Sequence, residues 1–212
     1  MRCCAHILNL IVQDGLKDLG LSKQKVCNAA NYVKGSPTRT AKFDACVDKE
    51  CILDKKKLKL NVPTRWNTTC LMLKTAEKHE LAFHRLEVDD GHYLNYFRDF
   101  DENGKKLVGP PKNVDFEITR YFSTFLHVFF QVTLKFLGYL FVTSNAYFHE
   151  LLNIQKNICR PCDSSRDVLL KNMAQKMKAK FDKYWGRIDN VNLMVFVAVV
   201  LDPRYKIKYV EF

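Results

Sequence analysis

The sequence predicts a mainly α-helical protein, and three observations carry that prediction. Apolar residues recur three and four positions apart through most of the 212 residues. Glycine, serine and proline fall between these runs as helix stops and starts. Alternation of the strand type is confined to Leu58-Lys59-Leu60-Asn61-Val62, so at most one short strand near 58–62 is expected.

Taken in order, residues 4–19 place Ile7, Leu8, Leu10, Ile11, Val12, Leu16 and Leu19 on one broad apolar face. Gly20 should end that helix, and Ser22 should cap a second one reaching about Lys34. Gly35-Ser36-Pro37 reads as a stop and restart, with Ser36 at the N-cap and Pro37 in the first helical position. The third helix then runs to about Cys51. Next comes the densest basic run, Lys55, Lys56, Lys57 and Lys59. It leads into Val62-Pro63-Thr64-Arg65-Trp66-Asn67. Pro63 favours an extended Val62, Thr64 is the expected N-cap, and Arg65 and Trp66 fall in the first helical turn.

The helix after Arg65 should carry Met72, Ala76, Phe83 and Leu86 on one face. Residues 99–113 are the best loop, with Asp101-Glu102-Asn103-Gly104 followed by Gly109-Pro110-Pro111. They are the expected boundary between an N-terminal helical part, 1–98, and a C-terminal helical part, 114–212. Residues 117–142 set Ile118, Phe122, Phe125, Phe129, Val132 and Phe136 along a sustained seam. This stretch approaches bilayer-spanning length, but Gln131 and Lys135 lie inside it and no membrane association is expected. A helix restarts at Thr143-Ser144-Asn145 and runs to about Cys159. Beyond Ser164, Leu169, Met173, Met177, Phe181 and Trp185 form a ridge, with Lys171, Lys176, Lys178, Lys180 and Lys183 elsewhere on the same helix. The apolar run from Leu193 to Leu201 leaves helix and buried strand both open. Asp202-Pro203-Arg204 closes it.

Composition narrows the function classes. Hydrophobic content of 47% and aromatic content of 12% argue against wholesale disorder. Lys and Arg number 34 against 23 Asp and Glu, a formal charge of +11 that favours a polyanionic partner. The eight cysteines are scattered through helical segments, which suits a reducing compartment better than a disulfide framework. The apolar run to Val12 is interrupted by His6, Asn9 and Gln13 and has no small-residue cleavage site, so it reads as a core helix, not a leader.

Enzymatic constellations are thin. Cys159-Arg160-Pro161-Cys162 has the C-x-x-C form, but a redox motif needs a preceding strand and a zinc site needs two further ligands. Cys3-x-x-His6 could supply those only if the two ends of the chain met. As a nucleophile and base, Cys3 and His6 lack an orienting acid. Glycine-rich phosphate loops are missing, and Asp202 is an isolated acid. No cofactor, no metal and no small-molecule substrate is expected. The basic faces are the remaining signal: the run Lys55 to Lys59 beside Arg65 and Trp66, and the Lys171–Lys183 face, would suit phosphate contacts, and within the first Arg65 could hold a phosphate and Trp66 could stack a base. The same six residues also fit a capped helix whose Trp anchors the core.

Beyond the residues themselves, Arg2-Cys3-Cys4-Ala5-His6-Ile7-Leu8-Asn9-Leu10 and Val62-Pro63-Thr64-Arg65-Trp66-Asn67 resemble two ordered motifs of hAT-superfamily transposases. Tyr139–Asn145, Lys180–Gly186 and Val199–Lys206 look like the plant branch, which includes BED-finger "sleeper" proteins derived from such transposases. The likeness spans nearly the whole chain. It implies the helical insertion domain of an RNase H-like transposase. It further implies that Cys3 and His6 sit near the active site, that Trp66 matches a base-stacking aromatic, and that Arg65 supports it. The family's three catalytic acids lie outside these motifs. The resemblance therefore implies a nuclear, DNA-binding, transposase-derived chain without independent strand cleavage, its DNA contacts drawn from Arg65, Trp66, Lys55, Lys56, Lys57 and Lys59. A helical module pairing with other transposase-like chains is the alternative.

Overall fold

The structure, a computed structural model, describes residues 4–54, 56–62, 64–101, 104–137, 144–164, 168–187, 191 and 193–203. Among them are ten helices: α1 (Cys4–Leu16), α2 (Gly20–Lys34), α3 (Pro37–Lys49), α4 (Trp66–Lys78), α5 (Glu80–Asp89), α6 (Gly91–Tyr96), α7 (Asn113–Leu137), α8 (Ser144–Ser164), α9 (Val168–Trp185) and α10 (Leu193–Leu201). The described part of 58–62 is extended but unpaired, and the one ladder contact among the described residues is an isolated bridge between Phe100 and Lys106. The mainly helical expectation holds. The chain divides into two compact units, Leu19–Phe125 and Met1–Asp18 with Leu126–Phe212. The expected boundary loop, 99–113, falls inside the first of these.

In the unit Leu19–Phe125, α3 packs on α2 and α5, and α4 packs on α2. Its core is strongly aromatic, with Tyr32, Phe43, Trp66, Phe83, Tyr93 and Phe116 all buried. Ser36 caps α3 as expected: its hydroxyl accepts from Arg39 N at 3.2 Å, its backbone is extended, and Pro37 opens the helix. Ser22 does not cap α2. Leu19 stands at that N-cap, and the Ser22 hydroxyl donates instead to Asp115 at 2.8 Å. Gly20 opens α2 with φ +34° and does not extend α1, which ends at Leu16.

The helix expected to carry Met72 through Leu86 is two helices. His79 breaks it: its Nδ1 bonds Thr75 O at 2.7 Å, its N–H reaches back to Ala76 O, and α5 restarts at Glu80. The loop before α7 is tied to α2 at Val108, whose carbonyl accepts from Asn28 at 2.8 Å.

In the other unit, α9 packs on α1 and α8, and α10 packs on α8. A Cβ on Gly15 would lie 2.7 Å from Met177 and 2.9 Å from Met173, so α1 and α9 meet at a position only glycine fits without displacement. The ridge of α9 is Leu170, Met173, Ala174, Met177, Phe181 and Trp185. Leu169 is exposed, because a strict every-fourth pattern drifts around a helix of 3.6 residues per turn. α8 runs through Cys159 to Ser164 with Pro161 inside it. The apolar run from Leu193 resolves as helix α10.

Helix α7 contributes to both units. Its seam is Phe116, Phe122, Leu126, Phe129 and Val132, with Ile118, Phe125 and Phe136 only half-buried. Among the described residues, no helix is long and apolar enough to cross a membrane.

Candidate nucleic-acid interface

The segment entering α4 is a strap held by side-chain hydrogen bonds, not a strand. Leu58 is buried and fastens its middle, while Lys56, Lys57, Lys59 and Leu60 are exposed. Asn61 accepts from the buried Thr69 hydroxyl at 2.6 Å, and the Cys27 thiol of α2 lies near it. Burial pushes that thiol's pKa up, against the opposing pull of Asn61 and Lys23. Val62 N donates to Thr68 Oγ1 at 2.8 Å, and the Thr68 hydroxyl lies 2.7 Å from Arg65 O. A 2.8 Å bond from Arg65 N to Val62 O closes the turn.

This clamp decides which residue begins the helix. Arg65, with φ −124° and ψ 94°, occupies the N-cap, and Thr64 lies outside. Trp66 is the first helical residue and is only 2% exposed. Its ring belongs to the core in this structure, whereas Arg65 immediately before it is exposed. The turn therefore sets a fixed apolar anchor beside an outward cation at a helix N-terminus, where backbone N–H groups and the dipole favour anions.

The cations along the strap differ in their surroundings. Lys55 lies outside the described residues. Lys56 donates its backbone N–H to Asp54 at 3.0 Å, and Asp54 also bonds Lys78; together these hold its carboxyl below the usual range. Lys56 and Lys57 line a cleft of about 230 Å³ with Asp44, Asp48, Phe43 and His79, so two carboxylates share their space. Lys59 and Arg65 have no carboxylate at ion-pair distance among the described residues.

The other predicted features are placed differently. Cys3 lies outside the described residues, so its pairing with His6 has no geometry here; His6 is exposed on α1. Cys159 and Cys162 are both half-buried on α8, and neither is part of a disulfide. No group of three potential metal ligands gathers among the described residues. Several α9 lysines are paired with carboxylates: Lys180 with Asp14 at 2.8 Å and Lys176 with Asp18, both of the α1 segment, and Lys178 with Asp182 of α9 itself at 2.7 Å. Thr68, Thr69 and Asn61 were not singled out from the sequence. The two threonines were signalled only by the run Asn67-Thr68-Thr69 after Trp66, which reads as ordinary helix, and Asn61 by nothing until the strap is seen folding back over that run.

These elements match known families. Residues 1–108 match the model of the ZBED1 RNase-like helical domain, and residues 145–212 match that of the hAT-like transposase, RNase-H fold. The chain belongs to this family of hAT-type, RNase H-like transposase proteins. Among individual relatives, it is 31% identical over 212 residues to the zinc finger BED domain-containing protein RICESLEEPER 2 of Oryza sativa subsp. japonica, covering all of this chain and 27% of that protein. It is 32% identical over 160 residues to DAYSLEEPER of Arabidopsis thaliana, covering 74% of this chain and 20% of that one. The chain thus spans about a quarter of the length of the relatives it matches. No solved structure matches it.

Proposed function

We propose that the chain is a DNA-binding part of a transposase-derived protein acting in the nucleus, and that it binds through the strap entering α4. The observation that carries this reading is the exposure of Lys59 and Arg65, without carboxylate partners among the described residues, on a backbone clamped by Asn61, Thr68 and Thr69. Fixed cations of this kind gain phosphate contacts at little ordering cost. Lys56 and Lys57, and Lys55 before them, add longer-range attraction, reduced by Asp44, Asp48 and Asp54. Trp66 acts from the core as the anchor of Arg65, since its buried ring offers no face to a base. Strand cleavage is not assigned to these residues. Cys3 and His6 are proposed, on the family motif alone, to lie near the active site of the intact transposase.

Fluorescence anisotropy with a labelled duplex and a labelled single-stranded oligonucleotide tests this at several salt concentrations. Lys59→Gln and Arg65→Gln should each weaken both and reduce the salt slope by about one. Trp66→Ala should lower stability by about 3–5 kcal/mol and weaken both ligands alike. A wild-type chain that binds neither ligand at low salt removes the reading. A Trp66→Ala loss confined to the single-stranded ligand, with stability unchanged, returns Trp66 to base stacking.

A further inference from the structure

A cleft of about 230 Å³ opens between α3, the strap and the break that ends α4. Its apolar lining is Phe43, Val47 and Leu58, all buried. Helix α3 adds the exposed carboxylates Asp44 and Asp48, one turn apart, and the strap adds the exposed Lys56 and Lys57. Asp44 and Asp48 make no ion pair with a described residue, although the two lysines share their cleft.

His79 supplies an independent observation. It lines the same cleft and is only 3% exposed. Its Nδ1 lies 2.7 Å from Thr75 O. A carbonyl only accepts, so Nδ1 carries the hydrogen, and Nε2 of the neutral ring is left as an acceptor. No described residue bonds Nε2. With so little of the ring open, an occupant of the cleft is its available partner.

The arrangement of these acceptors selects the occupant. Among the described residues, no three potential metal ligands gather closely enough to surround an ion. Side chains one turn apart start from Cβ atoms about 5–6 Å from each other, so the acceptors are spread over an area. The planar guanidinium of an arginine, with five N–H donors, spans such an area, whereas a lysine ammonium is a compact point charge. A bare cation would meet repulsion from Lys56 and Lys57. The charges lining the cleft are two of each sign, so an arginine with a carboxylate beside it satisfies both sets.

We propose that this cleft recognises, in a partner protein, an arginine followed by an aspartate or glutamate. The guanidinium meets Asp44, Asp48 and His79 Nε2, and the acid meets Lys56 and Lys57. The proposal does not rest on the DNA reading, because Lys59 and Arg65 do not line the cleft. The exposed Arg98-Asp99 of this chain makes a second copy the competing occupant.

NMR titration of the full chain with the blocked dipeptides Arg-Glu, Lys-Glu, Ala-Glu and Arg-Ala tests this. Arg-Glu should saturably shift His79 Nε2 and the amides of Asp44 and Asp48, with Lys-Glu weaker and Ala-Glu without effect. Asp44→Asn and Asp48→Asn should each weaken Arg-Glu binding by about tenfold, the worth of one charge-assisted bond. Both positions are exposed, so these variants should melt as the wild type does. Lys56→Gln with Lys57→Gln should erase the preference for Arg-Glu over Arg-Ala. Lys59→Gln with Arg65→Gln should leave peptide binding unchanged, whatever they do to DNA affinity. The absence of a saturable shift overturns the proposal, as does Ala-Glu binding as tightly as Arg-Glu. Arg-Glu binding that survives Asp44→Asn combined with Asp48→Asn also overturns it. Self-association by light scattering that is lost in Arg98→Gln overturns the partner, since a second copy would then fill the cleft.

Discussion

Asp90 holds more of the unit Leu19–Phe125 together than any motif visible in its neighbourhood suggests. It is 2% exposed, and it accepts from the Tyr32 hydroxyl at 2.7 Å, the Lys42 ammonium at 2.9 Å and the backbone N–H of His92 at 3.3 Å. One carboxylate thereby ties α2 and α3 to the start of α6, whose N-cap it is. Burial pushes its pKa up, but the Tyr32, Lys42 and His92 bonds prevail and hold it below the usual carboxylate value. The same contact, with burial as the larger cause, pushes Tyr32 up to about 12. The signs give two limbs. Asp90's contribution is fully present above its unfolded pKa of about 4 and is lost as pH falls through the lower folded value. Tyr32 is held neutral, so its contribution is present below its unfolded pKa of about 10 and is lost as pH rises towards 12. Asp90→Asn should cost about 2–4 kcal/mol at neutral pH, because it leaves the buried side of the Tyr32 and Lys42 pairings without its charge. Urea unfolding measured across pH should show that variant with a flatter acid limb than the wild type. An unchanged acid limb would mean that Asp90 is not the group responsible. In the sequence, Asp90 is one acid of an Asp-Asp pair before glycine. The residue that pairs with it, Tyr32, is 58 positions away, and no local pattern encodes that meeting.

At the scale of elements, legibility followed the range of the interaction that sets each boundary. Ser36-Pro37 was readable because a cap and its amide are three residues apart. The division of α4 from α5 was not: His79 has ordinary helical neighbours, and the break comes from its ring bonding Thr75 O while Phe43 lies 5.9 Å away. On α7 the seam was only partly found because Thr119, Ser123 and Thr133 are buried. Their hydroxyls donate to carbonyls three or four residues back, which lets polar residues occupy core positions. The candidate site divides the same way. Arg65 and the lysines were legible as a basic run, whereas the clamp that fixes them depends on a strap folding back over the first turn of α4. Gly15 shows the converse, a helical glycine whose reason lies on another helix. Gly15→Leu gains helix propensity but drives a side chain into Met173 and Met177, and overpacking of this kind costs about 1–3 kcal/mol or more. Gly91→Ala, where an added Cβ meets nothing within 4 Å, should be close to neutral. Thermal unfolding of the two variants compares them directly. Equal melting temperatures would show that α1 and α9 separate at no cost.

For the whole molecule, the formal charge of +11 does not say where a polyanion meets it, because the cations are unevenly neutralised. On α9, Lys176 and Lys180 face Asp18 and Asp14 of the α1 segment, and Asp14 also holds Lys17 at 2.6 Å. The Lys17 and Lys180 bonds, in that order, keep the Asp14 carboxyl below its usual range, so it stays charged near neutral pH. Partly exposed pairs of this sort add little to stability, about 0–1 kcal/mol each. Their larger effect is on the field: they remove from α9 a stripe that the sequence presents as continuous. The strap differs because Lys59 and Arg65 have no such partners among the described residues. If this distribution governs binding, Lys176→Gln with Lys180→Gln should leave the slope of DNA affinity against salt unchanged, whereas Lys59→Gln with Arg65→Gln should lower it by about two. Removing the neutralising acids should act in reverse. Asp14→Asn with Asp18→Asn uncovers Lys17, Lys176 and Lys180 and should raise both the salt slope and the salt needed to elute the chain from immobilised heparin. The comparison is internal, because each pair of substitutions changes the net charge by two in a known direction. A slope that follows net charge alone, indifferent to which pair is changed, would show that the whole basic surface attracts DNA and that the strap has no special part in it.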